Sequence, residues 1–150
     1  MSPYNLIREQ VGKTVPFARH AGVKIIRVGD GEGEAQLEQT ETSINHIGSQ
    51  HAGALFTLGE AASGAAMAGA FVSVLMSIRP VASDAQITYK KVAKGTISAL
   101  GKLSRPGSDL LSKLEQKGRV VFEVTVELKD TADDLVAAMS VEWHVKRIQS

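Results

Sequence analysis

From Ile47 to Ile78 the chain carries one formal charge, Glu60, and one further ionisable side chain, His51. The stretch reads IGSQHAGALFTLGEAASGAAMAGAFVSVLMSI, almost all small or apolar. A carboxylate set among such residues is costly to bury unless it is paired, neutralised or put to use. Perturbed carboxylates of that kind gather at functional sites. The structural alternative is that Glu60 reaches solvent or is held by a local hydrogen bond. Upstream, Asn45, His46, Gly48, Ser49, Gln50, His51, Ala52 and Gly53 crowd the start of the same run. A helix beginning there leaves backbone N–H groups unpaired and adds the positive end of its dipole. The N–H groups of Ala52 and Gly53 are then candidate donors to an oxyanion. His51 at that end should stay neutral and orient a group. Asn45 could cap the loop or hold a water. The structural alternative here is ordinary capping and a tight turn.

Spacing limits how these groups can cooperate. His51 and Glu60 are nine residues apart. On one helix that is about 13.5 Å of rise and half a turn out of phase. They cannot serve one reaction centre within one chain. If both act, the site must be composite, with His51 of one chain near Glu60 of another across a two-fold axis.

The positioning elements follow from the pattern. The run from about His51 to about Met76 reads as one long helix, by its length, alanine content and lack of proline. Its glycines, Gly53, Gly59, Gly64 and Gly69, make sense if something packs close to the backbone. Residues 3 to 19 suggest a short helix closed near Pro16. Two extended runs flank the turn-rich GDGEG at 29–33 as a hairpin. In the second, Ala35, Leu37 and Gln39 alternate with Glu34, Gln36 and Glu38. DAQITYKKV and GTISALGKL suggest a second hairpin around Ala93–Gly95. A loop or short helix begins at Pro106. RVVFEVTVELKD and LVAAMSVEWHVKR suggest a third hairpin around Thr131–Asp134. Val120, Phe122, Val124, Val126 and Leu128 share one strand face. An uncharged run this long could span a membrane. Glu60 near its centre argues against that, at about 2.5–3.5 kcal/mol on insertion scales. A helix apolar all round fits burial at the centre of a protein better.

At 150 residues the chain suits one domain, and it can bury on the order of two-thirds of its unfolded surface. Net charge is +1, so no global field argues for nucleic acid or membrane. With no cysteine, disulfides, thiolate metal sites and a cysteine nucleophile are excluded. Four scattered histidines show no metal-ligand spacing. The N-terminus lacks an apolar signal core, which points to a cytoplasmic protein. Between Ile87 and Arg119 there are eight basic and two acidic residues, a net +6, against −5 elsewhere. That segment is either a solvated surface or a site for a polyanionic ligand.

The pattern N-x-x-G-x-x-H-A-G-A-L-x-x-L-x-E, from Asn45 to Glu60, resembles the signature of hot-dog-fold acyl-CoA thioesterases of the phenylacetate-pathway (PaaI-like) type. It looks closest to a bacterial branch often left as a domain of unknown function. I-T-Y-K-K-x-A-K-G (Ile87–Gly95) and W-H-V-K-R (Trp143–Arg147) resemble that branch too, and the similarity spans about residues 20–148. The resemblance implies an α+β hot-dog fold, an antiparallel sheet wrapped around one central helix at about 51–76. It implies a homodimer with a continuous sheet, in some cases a dimer of dimers. It implies hydrolysis of an acyl-CoA-type thioester with no separate cofactor. Glu60 would attack the carbonyl or activate a water. The N–H of Ala52, where the family usually has H-G-G, would polarise the carbonyl, with Asn45 and His51 positioning water or thioester. A strand hydroxyl common in the family falls near Ala82 and Ser83. Ser63 and Thr57, one turn from Glu60, could hydrogen-bond it. Gly53, Lys90, Lys91, Lys94 and Arg105 complete the expected substrate contacts, the cations against CoA phosphates. The competing expectation is a hot-dog protein that binds acyl groups or CoA without turnover.

Overall fold

A computed structural model describes residues 2–148. The first element, α1 (Pro3–Thr14), opens with proline at its first position and with Ser2 accepting from the Asn5 N–H at 3.3 Å. Proline at 16 disfavours helix at Val15, so the chain breaks there and restarts as α2 (Pro16–Ala21). The single helix expected over 3–19 is therefore two, and the second runs to Ala21. Gly22, at φ +92°, closes it.

Strands β1 (Val23–Gly29) and β2 (Glu32–Leu37) form the expected hairpin. Ala35 and Leu37 point into the core, while Gln39 lies beyond the strand and is exposed. The central helix, α3 (Ala52–Ala70), is buried on almost every side. It does not reach Met76. Phe71 is fully buried, its ring 5.6 Å from that of Phe122, and residues 72–77 tighten into a 3₁₀ turn. The β-branched Val72 and Val74 favour an α-helix less than the alanines before them. Sheet and helix meet backbone to backbone at three glycines, Gly33, Gly69 and Gly101. A Cβ on Gly69 would run into the Gly29 carbonyl oxygen, and one on Gly33 into the Ala66 amide. Gly59 and Gly64 face Met139 and Trp143, whereas Gly53 faces only the His51 ring.

The remaining strands are β3 (Ile78–Tyr89), β4 (Ile97–Leu103), β5 (Arg119–Lys129) and β6 (Leu135–Arg147), with α4 (Gly107–Lys117) between β4 and β5. The six strands make one antiparallel sheet in the order β1-β2-β4-β5-β6-β3. The β5–β6 hairpin is as expected, and Val120, Phe122, Val124, Val126 and Leu128 all face the core. The hairpin around Ala93–Gly95 is not formed. β3 pairs with β6 at the sheet edge and β4 sits between β2 and β5, so residues 90–96 cross over two strands. Neighbours in sequence usually pair, but not always. The crossover is pinned: Lys90 N–H bonds the Val136 carbonyl at 2.8 Å and Gln50 N–H the Ala93 carbonyl at 2.8 Å. The sheet curls around α3, which is the hot-dog arrangement. Among the described residues no helix is long and apolar enough to cross a membrane.

Candidate active site

Glu60 lies on the face of α3 turned toward the N-terminal helices. A cavity of about 660 Å³ opens there. Leu6, Ile7 and Val11 of α1 line it opposite Ala61, Gly64 and Ala68 of α3, with Trp143 of β6 beside them. The Glu60 carboxylate is half-buried, and among the described residues it takes part in no ion pair or hydrogen bond. Burial in this apolar setting pushes its pKa above the ordinary carboxylate value. The expected hydroxyl partners do not reach it. Ser63 is fully buried; its Oγ donates to the Glu60 carbonyl oxygen at 2.7 Å and accepts from Trp143 Nε1 at 3.0 Å. It ties α3 to β6 and lies off the cavity. Thr57 Oγ1 donates to the Gly53 carbonyl at 2.9 Å.

The other group of candidates gathers at the start of α3. His51 is its N-cap, and His51 Nδ1 accepts from the Gly53 N–H at 2.8 Å. A ring nitrogen that accepts carries no proton, so the neutral ring presents Nε2–H to solvent. Gly53 is thereby spent as a donor. That leaves the Ala52 N–H, which has no acceptor among the described residues. Asn45 is a loop staple: its Oδ1 accepts from the amides of Ile47 at 3.1 Å and Ser49 at 3.0 Å, and its Nδ2 donates to Ser49 Oγ at 2.9 Å. It shapes the approach to Ala52, with its Oδ1 and one of its two Nδ2 hydrogens committed to the loop.

Two residues here have roles that the sequence reading did not assign. Tyr89 Oη donates to the Ala52 carbonyl at 2.9 Å, and burial raises its pKa. Gln50 is buried, with Nε2 donating to the Gly95 carbonyl at 2.9 Å. Those donations fix which end of the amide is oxygen, and Gln50 Oε1 is left without a partner among the described residues. Tyr89 stands in the I-T-Y-K-K segment and was visible as a motif. Gln50 stood in the crowded helix start, but its role comes from a contact far along the chain, at Gly95. Both line a second cavity of about 460 Å³ with Asn45, Ala52 and Lys90.

Within one chain the Glu60 cavity and the Ala52 cavity are separate, as their spacing requires. The cations also divide. Lys91 is paired with Asp134 at 2.6 Å, which raises its pKa through the hydrogen bond and the charge. Lys94 lies close to it, beside Ile47 and Asp130. Arg105 follows the far end of β4, near Asp30 and Glu32. A seven-residue strand puts it roughly 20 Å from Lys94. One phosphate group cannot touch both. Ser83 sits at a bulge in β3 and donates to Glu142 Oε1 at 2.9 Å, on the outer face of the sheet and away from Glu60.

A family model described as "Domain of unknown function (DUF4442)" matches residues 4–145. The chain belongs to that family. No curated protein matches it in sequence. Several solved structures share its fold. A Pseudomonas aeruginosa protein of unknown function, described as a probable thioesterase, is 24% identical, with 95% of each chain covered and a TM-score of 0.82. A candidate thioesterase from Shewanella oneidensis is 17% identical, with 98% of each covered and a TM-score of 0.79. The PaaI protein of the E. coli phenylacetic acid degradation operon is 19% identical, covering 95% of this chain and 91% of that one, with a TM-score of 0.72. At these identities the likeness establishes the hot-dog fold of this DUF4442 chain.

Proposed function

We propose that the protein hydrolyses an acyl-CoA-type thioester, with Glu60 as general base. The observation that carries this reading is an unpaired carboxylate, its pKa raised by burial, at the wall of an apolar cavity. A carboxylate moved toward neutrality is a better base than an ordinary one. Glu60 takes a proton from water, and the water oxygen bonds to the thioester carbon. The oxyanion that forms is held by a backbone N–H, and the C–S bond then breaks as the proton passes to the departing sulfur. The donor is the Ala52 N–H of a second copy, because within one chain it is too far away. The outer edge of β3, unpaired along twelve residues among those described, offers that copy a strand to join. Lys90, Lys91 and Lys94 flank the Ala52 cavity and suit CoA phosphates.

The acyl tail lies in the cavity under α1. Along α3 and into the 3₁₀ turn after it, this cavity follows Glu60, Gly64, Ala68 and Val72. Those twelve residues rise about 18 Å, room for an extended aliphatic chain of roughly ten carbons or more.

The test is thiol release from short, medium, long and aromatic acyl-CoAs. With no cysteine in the chain, a thiol-reactive dye reads only liberated CoA. Wild type turns over the longer aliphatic substrates, and Glu60→Gln loses at least about a hundredfold. Equal turnover in both proteins would remove Glu60 from the chemistry. Binding of acyl-CoA with no turnover would make this a carrier.

A further inference from the structure

The peptide group between Ala52 and Gly53 is held from both sides. Its N–H donates to His51 Nδ1 at 2.8 Å, and its carbonyl oxygen accepts from Tyr89 Oη at 2.9 Å. The first bond is an ordinary helix cap. The second has no such reason. A carbonyl in the first turn already accepts from the amide four residues on, so the Ala52 oxygen is satisfied without Tyr89. Nor does the fold need this ring for packing, since Tyr89 is 45% exposed and stands outside the core. Its backbone, however, is firmly placed. Tyr89 is the last residue of β3, directly opposite Ala137 on β6, and the next amide, that of Lys90, is bonded to the Val136 carbonyl. The sheet thus presents one hydroxyl to the start of α3 across 37 residues of sequence. Burial raises the pKa of the phenol, so it stays a donor across the neutral range.

A peptide plane is rigid but tilts about the single bonds on either side of it. The Ala52 N–H belongs to the preceding plane, joined to this one at the Ala52 Cα, so a tilt of one redirects the other. An oxyanion donor is effective only when it is aimed before the reaction begins. Donation to the carbonyl also polarises the peptide and strengthens the bond that its N–H gives. That keeps a hydrogen bond on His51 Nδ1 and leaves the ring proton on Nε2. We infer that Tyr89 is a positioning residue for the oxyanion donor: by clamping the peptide between Ala52 and Gly53, its hydroxyl holds the Ala52 N–H in direction. The catalytic consequence rests on the thioesterase reading; the clamp itself does not.

The test is a double-mutant cycle between Tyr89→Phe, which removes the hydroxyl and keeps the ring, and Ala52→Pro, which removes the N–H and keeps the carbonyl that Tyr89 bonds. Turnover of acyl-CoA is measured for wild type, both single variants and the double variant. Amide hydrogen exchange at Gly53 is followed by NMR in wild type and Tyr89→Phe. Tyr89→Phe melts like wild type and keeps its KM, but its kcat falls about tenfold, part of what loss of the whole donor costs. In the Ala52→Pro background the same change costs less than about twofold, because the donor it aims is already gone. Exchange at Gly53 speeds up at least about threefold in Tyr89→Phe, while that at Leu58, in the buried middle of α3, stays as in wild type. An equal loss of kcat in both backgrounds, or Gly53 exchange unmoved by Tyr89→Phe, would overturn the inference. A wild type that turns over no acyl-CoA ends the thioesterase reading alone, and Gly53 exchange then decides the clamp.

Discussion

Glu60 is held in a state that its surroundings disfavour. A carboxyl group whose pKa is raised by burial binds its proton more tightly folded than unfolded. Folding is then unopposed by this group at low pH. Destabilisation sets in as pH rises above the ordinary value near 4.5, and is complete once the folded-state pKa is passed. Glu60→Gln removes the charge and keeps the shape. It should melt higher than wild type at pH 8, and the gap should close as pH falls toward 4.5. A constant gap across that range would mean that the carboxylate finds a partner in solution. The same titration shapes catalysis: kcat/KM should climb with pH through the raised pKa, since only the ionised form accepts a proton. Glu60 itself was legible in the sequence, as a lone charge in an apolar run. Capping and a tight turn at the helix start were open as an alternative, but the bond from Gly53 to His51 and the loop bonds of Asn45 were not assigned. Each of those side chains had several chemically reasonable partners, and only backbone geometry chose between them.

At the scale of elements, α3 explains most of what sequence reading achieved. Its composition announced a buried helix, and the need for close approach showed in Gly59, Gly64 and Gly69. What failed was pairing. β3 and β4 both carry strand patterns, but a pattern of faces holds no information about which strand lies alongside. The cavity was equally hidden, because its second wall is supplied by α1 and α2, whose packing onto α3 no local rule predicts. Gly64 sits part-way along that cavity, with the Trp143 ring 3.5 Å from where a Cβ would be. The atoms nearest that position belong to the Trp143 ring and not to backbone, so a leucine there narrows the cavity between Glu60 and its far end. Gly64→Leu should cut turnover of long acyl-CoAs at least tenfold relative to short ones, measured as the ratio of kcat/KM values. An unchanged ratio would place the acyl tail elsewhere.

For the whole molecule, the decisive question is whether one site needs two chains. Ala52 provides a clean probe. It occupies the first position of α3, where proline is welcome, and His51 before it has φ −66° and ψ 142°, a conformation that proline permits. Ala52→Pro therefore deletes one N–H and little else. Loss of an oxyanion donor costs roughly 10²–10³ in kcat, so the variant should be nearly inactive yet melt like wild type. Mixed with Glu60→Gln and allowed to exchange subunits, it should regain about a quarter of wild-type activity, since half of the dimers are mixed and each mixed dimer holds one intact site. No recovery after exchange would place both groups outside a shared centre.

The position of β3 also shapes how the chain is made. Its only partner among the described residues is β6, which begins 46 residues after β3 ends. At 5–20 residues per second, a ribosome needs between about 2 and 9 s to supply it. Through that interval the nascent chain displays a twelve-residue strand with both edges open. The charges and the bulge along β3 guard the newborn polypeptide against pairing with its neighbours on the same message, well before they shape any finished assembly.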